Sequence, residues 1–181
     1  MSGETIKNKI DLENLNSITC FIFDVDGVLT NGNLLVLPNG VLARTMNIKD
    51  GYALQLAIKK GYRVIIISGG NAPEVKERLN KLGVTEVHMQ VTDKKALLKS
   101  IVENSSLQTS ACIYMGDDIP DYEIMQLVGF PCCPADAVSE IKSIAQYISP
   151  LKGGEGCARE IIEKVLKLRG DWNNNDLIPA Q

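Results

Sequence analysis

A single histidine, His88, stands among the 181 residues of this chain. That scarcity excludes multi-histidine zinc sites and weighs against a Ser–His nucleophile. The five cysteines are odd in number and include no C-x-x-C pair. Neither a disulfide framework nor a structural zinc is therefore expected. Cys20 and Cys112 lie within apolar runs and read as small core residues. The pattern G-x-x-x-x-G-K-[ST] is missing, which removes a P-loop nucleotide site. No apolar run approaches the ~18 residues that would span a bilayer, so no membrane association is expected. Residues 1–15 are polar and mixed in charge, without the apolar centre of a signal peptide, and the cytoplasm is the expected location. With a net charge of −3 there is no basic excess to suggest a nucleic-acid partner. A small anionic ligand would need local positive charge, from a cation or from a few lysines and arginines.

What the chain does have is a regular alternation of strand-like and helix-like segments. Apolar runs at residues 18–23, 63–67, 86–89, 111–115, 130–132 and 147–148 alternate with amphipathic stretches. Helices are expected to start at Asp50, Asn71, Asp93, near Asp118 and at Asp136, and the last spans residues 156–168. Pro38-Asn39-Gly40 marks the turn of a hairpin at about residues 33–46. This alternation predicts an α/β fold, a mostly parallel sheet with helices on both faces. One domain is expected over residues 16–170, with a polar extension at 1–15 and a flexible tail at 171–181. The hairpin is too small to be a lid domain.

In parallel sheets, ligands bind beyond the carboxyl ends of the strands. The richest such place is Asp24-Val25-Asp26-Gly27-Val28-Leu29-Thr30, directly after the first apolar run. Two carboxylates held at a strand end are costly to desolvate unless a cation or donors compensate them. Asp24 is placed to act as a nucleophile, since carboxylates form aspartyl-phosphate intermediates. Asp26, two residues on, is placed to protonate a leaving oxygen and later to activate water. Ser68 and the N–H of Gly69 follow the second strand and can bind phosphate oxygens. Lys94 opens a helix and offers a point charge. Asp117 and Asp118 form a second acidic pair, suited to a hard cation such as Mg²⁺. Singly, each feature has a bland reading as a cap, a turn or a solvated helix start. Together, and in this order at strand ends, they describe one reaction: two anions, a carboxylate and a phosphate ester, brought together by a divalent ion and a lysine.

These residues resemble the four motifs of the haloacid dehalogenase-type phosphatases. The first is Asp24 to Thr30, the second Ser68, the third Lys94, and the fourth Gly116-Asp117-Asp118-Ile119-Pro120-Asp121. The resemblance implies a Rossmann-like core, a phosphoric monoester hydrolase, Asp24 as nucleophile and Asp26 as general acid/base. It also implies Mg²⁺ held by the carboxylates of Asp24 and Asp117 and the main-chain carbonyl of Asp26. Asp118 and Asp121 would orient metal-bound waters or Lys94. A narrower resemblance is carried by Asn47-Ile48-Lys49-Asp50-Gly51-Tyr52, Asp93-Lys94 and Gly153-Gly154-Glu155-Gly156-Cys157-Ala158-Arg159-Glu160. These segments are similar to those of the capless 3-deoxy-D-manno-octulosonate 8-phosphate (KDO 8-phosphate) phosphatases, which release KDO for lipopolysaccharide precursors.

That branch forms homotetramers in which a neighbour's hairpin and C-terminal segment help to close the site. The hairpin here is apolar on both faces, at Leu34-Leu35-Val36-Leu37 and Val41-Leu42, and as an exposed ribbon it would invite association. Arg159 is a candidate for the carboxylate of a sugar acid, with Gly153, Gly154 and Gly156 letting the backbone approach the ligand. Lys152, Arg78 and Arg44 are further candidates of that kind. Gly70 and Asn71 stand where many relatives carry a charged residue after the second motif, so contacts made there do not transfer, and Asn71 is the polar group left at that place. Two alternatives remain open: a phosphatase of a nonulosonate 9-phosphate (KDN or N-acetylneuraminate), and a non-catalytic regulatory or scaffolding module on the same fold.

Overall fold

The computed structural model describes residues 15–172. The expected N-terminal extension before Leu15 and the tail from residue 173 lie outside the described residues. Six parallel strands form the sheet: β1 (Cys20–Phe23), β4 (Arg63–Ile67), β5 (Glu86–His88), β6 (Cys112–Met115), β7 (Phe130–Cys133) and β8 (Tyr147–Ile148). Their spatial order is β5-β4-β1-β6-β7-β8. A separate hairpin pairs β2 (Leu35–Val36) with β3 (Leu42–Ala43) in antiparallel register around Pro38–Gly40. The helices are α1 (Ile48–Lys59), α2 (Pro73–Lys81), α3 (Lys94–Glu103), α4 (Tyr122–Met125), α5 (Ser139–Ile144) and α6 (Cys157–Leu168).

The strand sequences explain the layers. All four residues of β1 are buried. Phe21 and Phe23 enter one core with Val64, Ile66, Ile113 and Met115, covered by α1, α2 and α6. Cys20 and Ile22 enter the opposite core with Ile65, Ile67, Cys112 and Tyr114, covered by α3, α4 and α5. Apolar residues on both faces are what a central parallel strand requires. Among the described residues, no helix is long and apolar enough to cross a membrane.

The chain runs from β1 outward to β5 and then returns to β6 on the other side of β1. This reversal opens a crevice beyond the carboxyl ends of the central strands. The register sets Phe23 beside both Ile66 and Met115. The residues that follow β1, β4 and β6 therefore arrive together.

Several helix starts differ from expectation, each because an acid or amide is engaged elsewhere. Asn47 caps α1 and accepts from the Lys49 N–H at 2.9 Å. Asp50 is instead buried in the first turn, where it accepts the Arg159 N–H at 2.7 Å and ties α1 to α6. Asn71 does not cap α2, which opens at Pro73; its side chain accepts from Gln90 at 3.1 Å. Asp136 starts no helix, because α5 begins at Ser139 and Asp136 accepts the Gly153 N–H at 2.9 Å. The helix expected after Asp118 is a turn over Ile119–Asp121 followed by the four residues of α4.

The glycine-rich segment also has a different neighbour from the one expected. A Cβ on Gly153 would collide with the carbonyl oxygen of Gly27. The Gly154 N–H donates to Val28 O at 2.9 Å, and the Cys157 thiol to the same oxygen at 3.3 Å. These glycines let the backbone approach the Asp24–Thr30 loop rather than a ligand, and they brace that loop from behind.

Candidate active site

Asp24 leaves β1 with its N–H still bonded to Met115 O at 3.1 Å, so the sheet fixes its backbone. Its Oδ1 accepts the Val25 N–H at 2.7 Å, and its Oδ2 lies 2.9 Å from Lys94 Nζ. Lys94 comes from the first turn of α3, whose cap Asp93 accepts the Ala96 N–H at 2.8 Å. The Lys94 ammonium is 2.7 Å from Asp121 Oδ1, and its side chain is only 5% exposed. Asp121 is completely buried and fully engaged. Its Oδ1 accepts from Lys94 and from the Tyr114 hydroxyl, the latter at 2.6 Å, and its Oδ2 accepts the Asp117 N–H at 3.0 Å. Asp121 thus organises the lysine and the Asp117 backbone at once.

Ser68 follows β4 and is buried, with its Oγ accepting the Gly70 N–H at 3.1 Å. Asp24, Asp26, Ser68, Gly69, Lys94 and Asp117 line one pocket of about 540 Å³, and Asp118 and Asp121 share it. Asp118 is exposed at the rim, where its Oδ1 accepts the Ile119 N–H at 2.8 Å. Tyr114, read from sequence only as part of a strand, is the hydroxyl beneath this cluster. Its only signal was a tyrosine within the strand that leads into Gly116-Asp117-Asp118.

Charge is unevenly balanced in the pocket. Burial, and then repulsion from Asp121, push the Asp24 carboxyl up to about 7 against the pull of Lys94. Burial and the neighbouring Asp121, Asp24 and Asp118 push Asp117 up to about 8. Burial works against the charge on Lys94, but Asp24 and Asp121 outweigh it and hold the ammonium above its ordinary pKa. Oxygens of Asp24, Asp117 and Asp121 come within 4.8 Å of one another. Hard oxygen donors carrying more negative charge than one lysine offsets are the donor set of a small divalent cation. Asp24, Asp117 and Asp121 could therefore hold such an ion, and Asp121 is the most committed of the three, its Oδ1 already accepting from both Lys94 and the Tyr114 hydroxyl.

Not all of the basic candidates reach this pocket within one chain. Arg44 does approach, but through Asp26: its Nε and Nη2 lie 2.6 and 3.0 Å from the two carboxylate oxygens. Arg159 is placed elsewhere. Its Nε donates to Glu163 at 3.1 Å and its guanidinium lies over Tyr52 and Trp172, at 5.5 and 5.2 Å from the ring centres. The acid four residues on and two aromatic faces occupy it, against α1. It lines a different cleft, with Lys49, Leu151 and Lys164. Arg78 lines an apolar groove between the hairpin and α2. Lys152 is exposed in the loop before Gly153, and Asn71 is held by Gln90 outside the pocket lining.

The raised carboxyls fix the sign of a pH effect. A carboxyl whose folded pKa lies above its unfolded value near 4 stabilises the metal-free fold at low pH. That contribution is lost as pH rises through about 7 for Asp24 and about 8 for Asp117. A divalent cation replaces those protons. Millimolar Mg²⁺ is expected to raise the melting temperature little at about pH 5 and most at about pH 8.5. An equal shift at both pH values in a thermal-shift assay would contradict this.

Known proteins are similar to this chain in sequence and in fold. The haloacid dehalogenase-like hydrolase family matches residues 83–161, the stretch that holds Lys94 and Asp117 to Asp121. The 3-deoxy-D-manno-octulosonate 8-phosphate phosphatase of Escherichia coli K12 is 31% identical over 154 residues, 85% of this chain and 82% of that protein. The crystal structure of the Yersinia pestis phosphatase of that name superposes with a TM-score of 0.85 at 29% identity, covering 88% of this chain and 86% of the other. The Moraxella catarrhalis phosphatase, solved with magnesium, phosphate and KDO, gives 0.83 at 28% identity, covering 87% and 90%. By sequence and by fold, this chain belongs to the 3-deoxy-D-manno-octulosonate 8-phosphate phosphatase family of haloacid dehalogenase-like hydrolases.

Proposed function

We propose that the protein is a Mg²⁺-dependent phosphatase that hydrolyses KDO 8-phosphate to KDO and phosphate, with residues 16–170 acting as one catalytic unit. The observation that carries this reading is the convergence of Asp24, Lys94, Ser68 and Asp117 in one pocket at the switch point of the sheet. The relatives named for this substrate support its identity.

Asp24 Oδ attacks phosphorus, and the bond from phosphorus to the sugar oxygen breaks. Asp26 gives a proton to the departing oxygen. Asp26 then takes a proton from water as that water attacks the aspartyl phosphate, which releases phosphate and restores Asp24. The Ser68 hydroxyl, the Gly69 N–H and Lys94 hold the phosphoryl oxygens through both steps. When bound by the carboxylates of Asp24 and Asp117 and the main-chain carbonyl of Asp26, Mg²⁺ would supply charge neutralisation for nucleophile and phosphate alike. Asp121 keeps Lys94 oriented throughout, and Asp118 acts at the rim.

We propose further that the protein works as a cytoplasmic homotetramer. The exposure of the hairpin supports this: Leu35 is 64% and Val36 70% exposed, and Ile48 beside it 72%. Apolar surface of that kind is ordinarily covered by a partner. A pocket without a cap domain also gains from a neighbour that excludes water. Five free cysteines accord with a reducing compartment. Arg159, Lys152, Arg78 and Asn71 remain candidates for substrate contact across such an interface, where a neighbour's surface would meet the pocket.

Three experiments test these readings. Steady-state hydrolysis of a phosphate panel should favour KDO 8-phosphate over a nonulosonate 9-phosphate and should stop with EDTA. Asp24→Asn should lose at least about 1,000-fold in kcat with the fold intact by circular dichroism. Turnover near the wild-type rate by that variant would remove Asp24 as nucleophile, and turnover of no phosphate ester by the wild type would favour a non-catalytic module. Val36→Glu should dissociate the tetramer in analytical ultracentrifugation, whereas an unchanged sedimentation coefficient would argue that the hairpin is not its interface.

A further inference from the structure

Asp26 commits both carboxylate oxygens to one partner. Arg44 Nε lies 2.6 Å from Oδ1 and Nη2 lies 3.0 Å from Oδ2, a bidentate fork. The arginine stands just past β3, at the foot of the hairpin, where its Nη1 also donates to Leu42 O at 3.1 Å. A single antiparallel bridge between Thr30 and Met46 ties this foot to the Asp24–Thr30 loop. The guanidinium is therefore built in rather than solvent-borne, and its side chain is only 5% exposed.

The pair rests directly on the phosphate-binding loop. A Cβ on Gly70 would fall 2.9 Å from Asp26 Oδ2, 3.1 Å from Arg44 Nη2 and 3.4 Å from Ser68 Oγ. Any side chain at position 70 would crowd the fork, so glycine there and arginine at 44 belong to one arrangement. Asp26 thus lines the pocket beside Ser68 and Gly70, while Arg44 stands at the boundary with the adjoining groove between the hairpin and α2, the direction in which a bound phosphate ester could extend.

This arrangement conflicts with the role given to Asp26. A general acid must turn a carboxyl oxygen toward the departing oxygen. With both oxygens on Arg44, neither is so placed, and the fork has to open during turnover. Opening it unassisted would leave a largely buried guanidinium without its partner, which is costly. An incoming carboxylate removes that cost, because guanidinium binds any carboxylate with the same fork. The octulosonate of the relatives' substrate carries one in its leaving half.

We infer that Arg44 determines specificity for acidic sugars: it exchanges the Asp26 carboxylate for the carboxylate of the substrate, so that recognition of the sugar acid frees Asp26 to protonate the leaving oxygen. Only hydrogen bonds change in the exchange itself; the released Asp26 carboxylate then takes a proton from water, and that proton is the one it gives to the leaving oxygen. The inference deepens the phosphatase reading and rests on it.

The test compares kcat/KM for KDO 8-phosphate with that for the same sugar phosphate whose carboxylate has been reduced to an alcohol. The wild type should prefer the acid by roughly 10- to 100-fold, the range expected of a charge-assisted bidentate contact. In Arg44→Gln that preference should collapse to within roughly threefold. Arg44→Lys, which keeps the charge but not the fork, should fall between. The ratio is read within one preparation, so a misfolded fraction cancels. Wild-type preference retained by Arg44→Gln would overturn the inference. Equal losses on both substrates would also overturn it, since Arg44 would then only position Asp26. Failure of the wild type to hydrolyse either phosphate would be a different result, one that removes the phosphatase reading and the inference with it.

Discussion

A buried ammonium between two buried carboxylates holds the pocket together. Lys94 Nζ stands 2.9 Å from Asp24 and 2.7 Å from Asp121, and none of the three is more than marginally exposed. Removing one member of such a group typically costs about 3–5 kcal/mol, because an uncompensated charge is left behind. The group is also one positive charge short of neutrality, and two short once Asp117 is added. That deficit raises the carboxyls of Asp24 and Asp117, and it is what makes the pocket a place for a cation. The same feature links stability to metal and pH, and connects both to the chemistry proposed for Asp24.

The fold meets this electrostatic demand by bringing the parts from four separate segments. Asp24, Ser68 and Asp117 follow adjacent parallel strands; strand-to-strand bonds hold the first two backbones, and the Asp121 carboxylate holds the Asp117 N–H. Lys94 is fixed by a capped helix start and Asp121 by a tyrosine from the sheet beneath. The loop bearing Asp26 is held from behind by Gly153 and Gly154 and from the front by Arg44. Rigid elements thus carry Asp24, the proposed nucleophile, while Asp26, the proposed general acid, sits on a loop where its carboxylate has a partner that substrate could displace.

Much of this was legible in the letters because local pattern dictates it. A strand apolar on both faces and ended by acids reads as central and ligand-facing, and β1, β4 and β6 follow that rule. The helix starts at Asp50, Asn71 and Asp136 were misplaced because those side chains bond to Arg159, Gln90 and Gly153, partners that local sequence does not reveal. Arg159 is a partial exception: Glu163 four residues on was visible, whereas Tyr52 and Trp172 were not. Nor could spacing alone show that Arg44 would meet Asp26 eighteen residues earlier. Sequence pattern located the strand ends and the acids they carry. The family resemblance already implied that an acid of the fourth motif would orient Lys94, whereas the pairing of Arg44 with Asp26 came only with the tertiary structure.

The central claim is that the carboxylate at the end of β1 meets phosphorus directly. A crystal structure with Mg²⁺ and vanadate, a mimic of the phosphoryl group in flight, tests it without relying on turnover. The account predicts vanadium bonded to the Asp24 carboxylate, with Ser68 and Lys94 on its equatorial oxygens. Vanadate bound elsewhere, with Asp24 still paired only to Lys94, would contradict it.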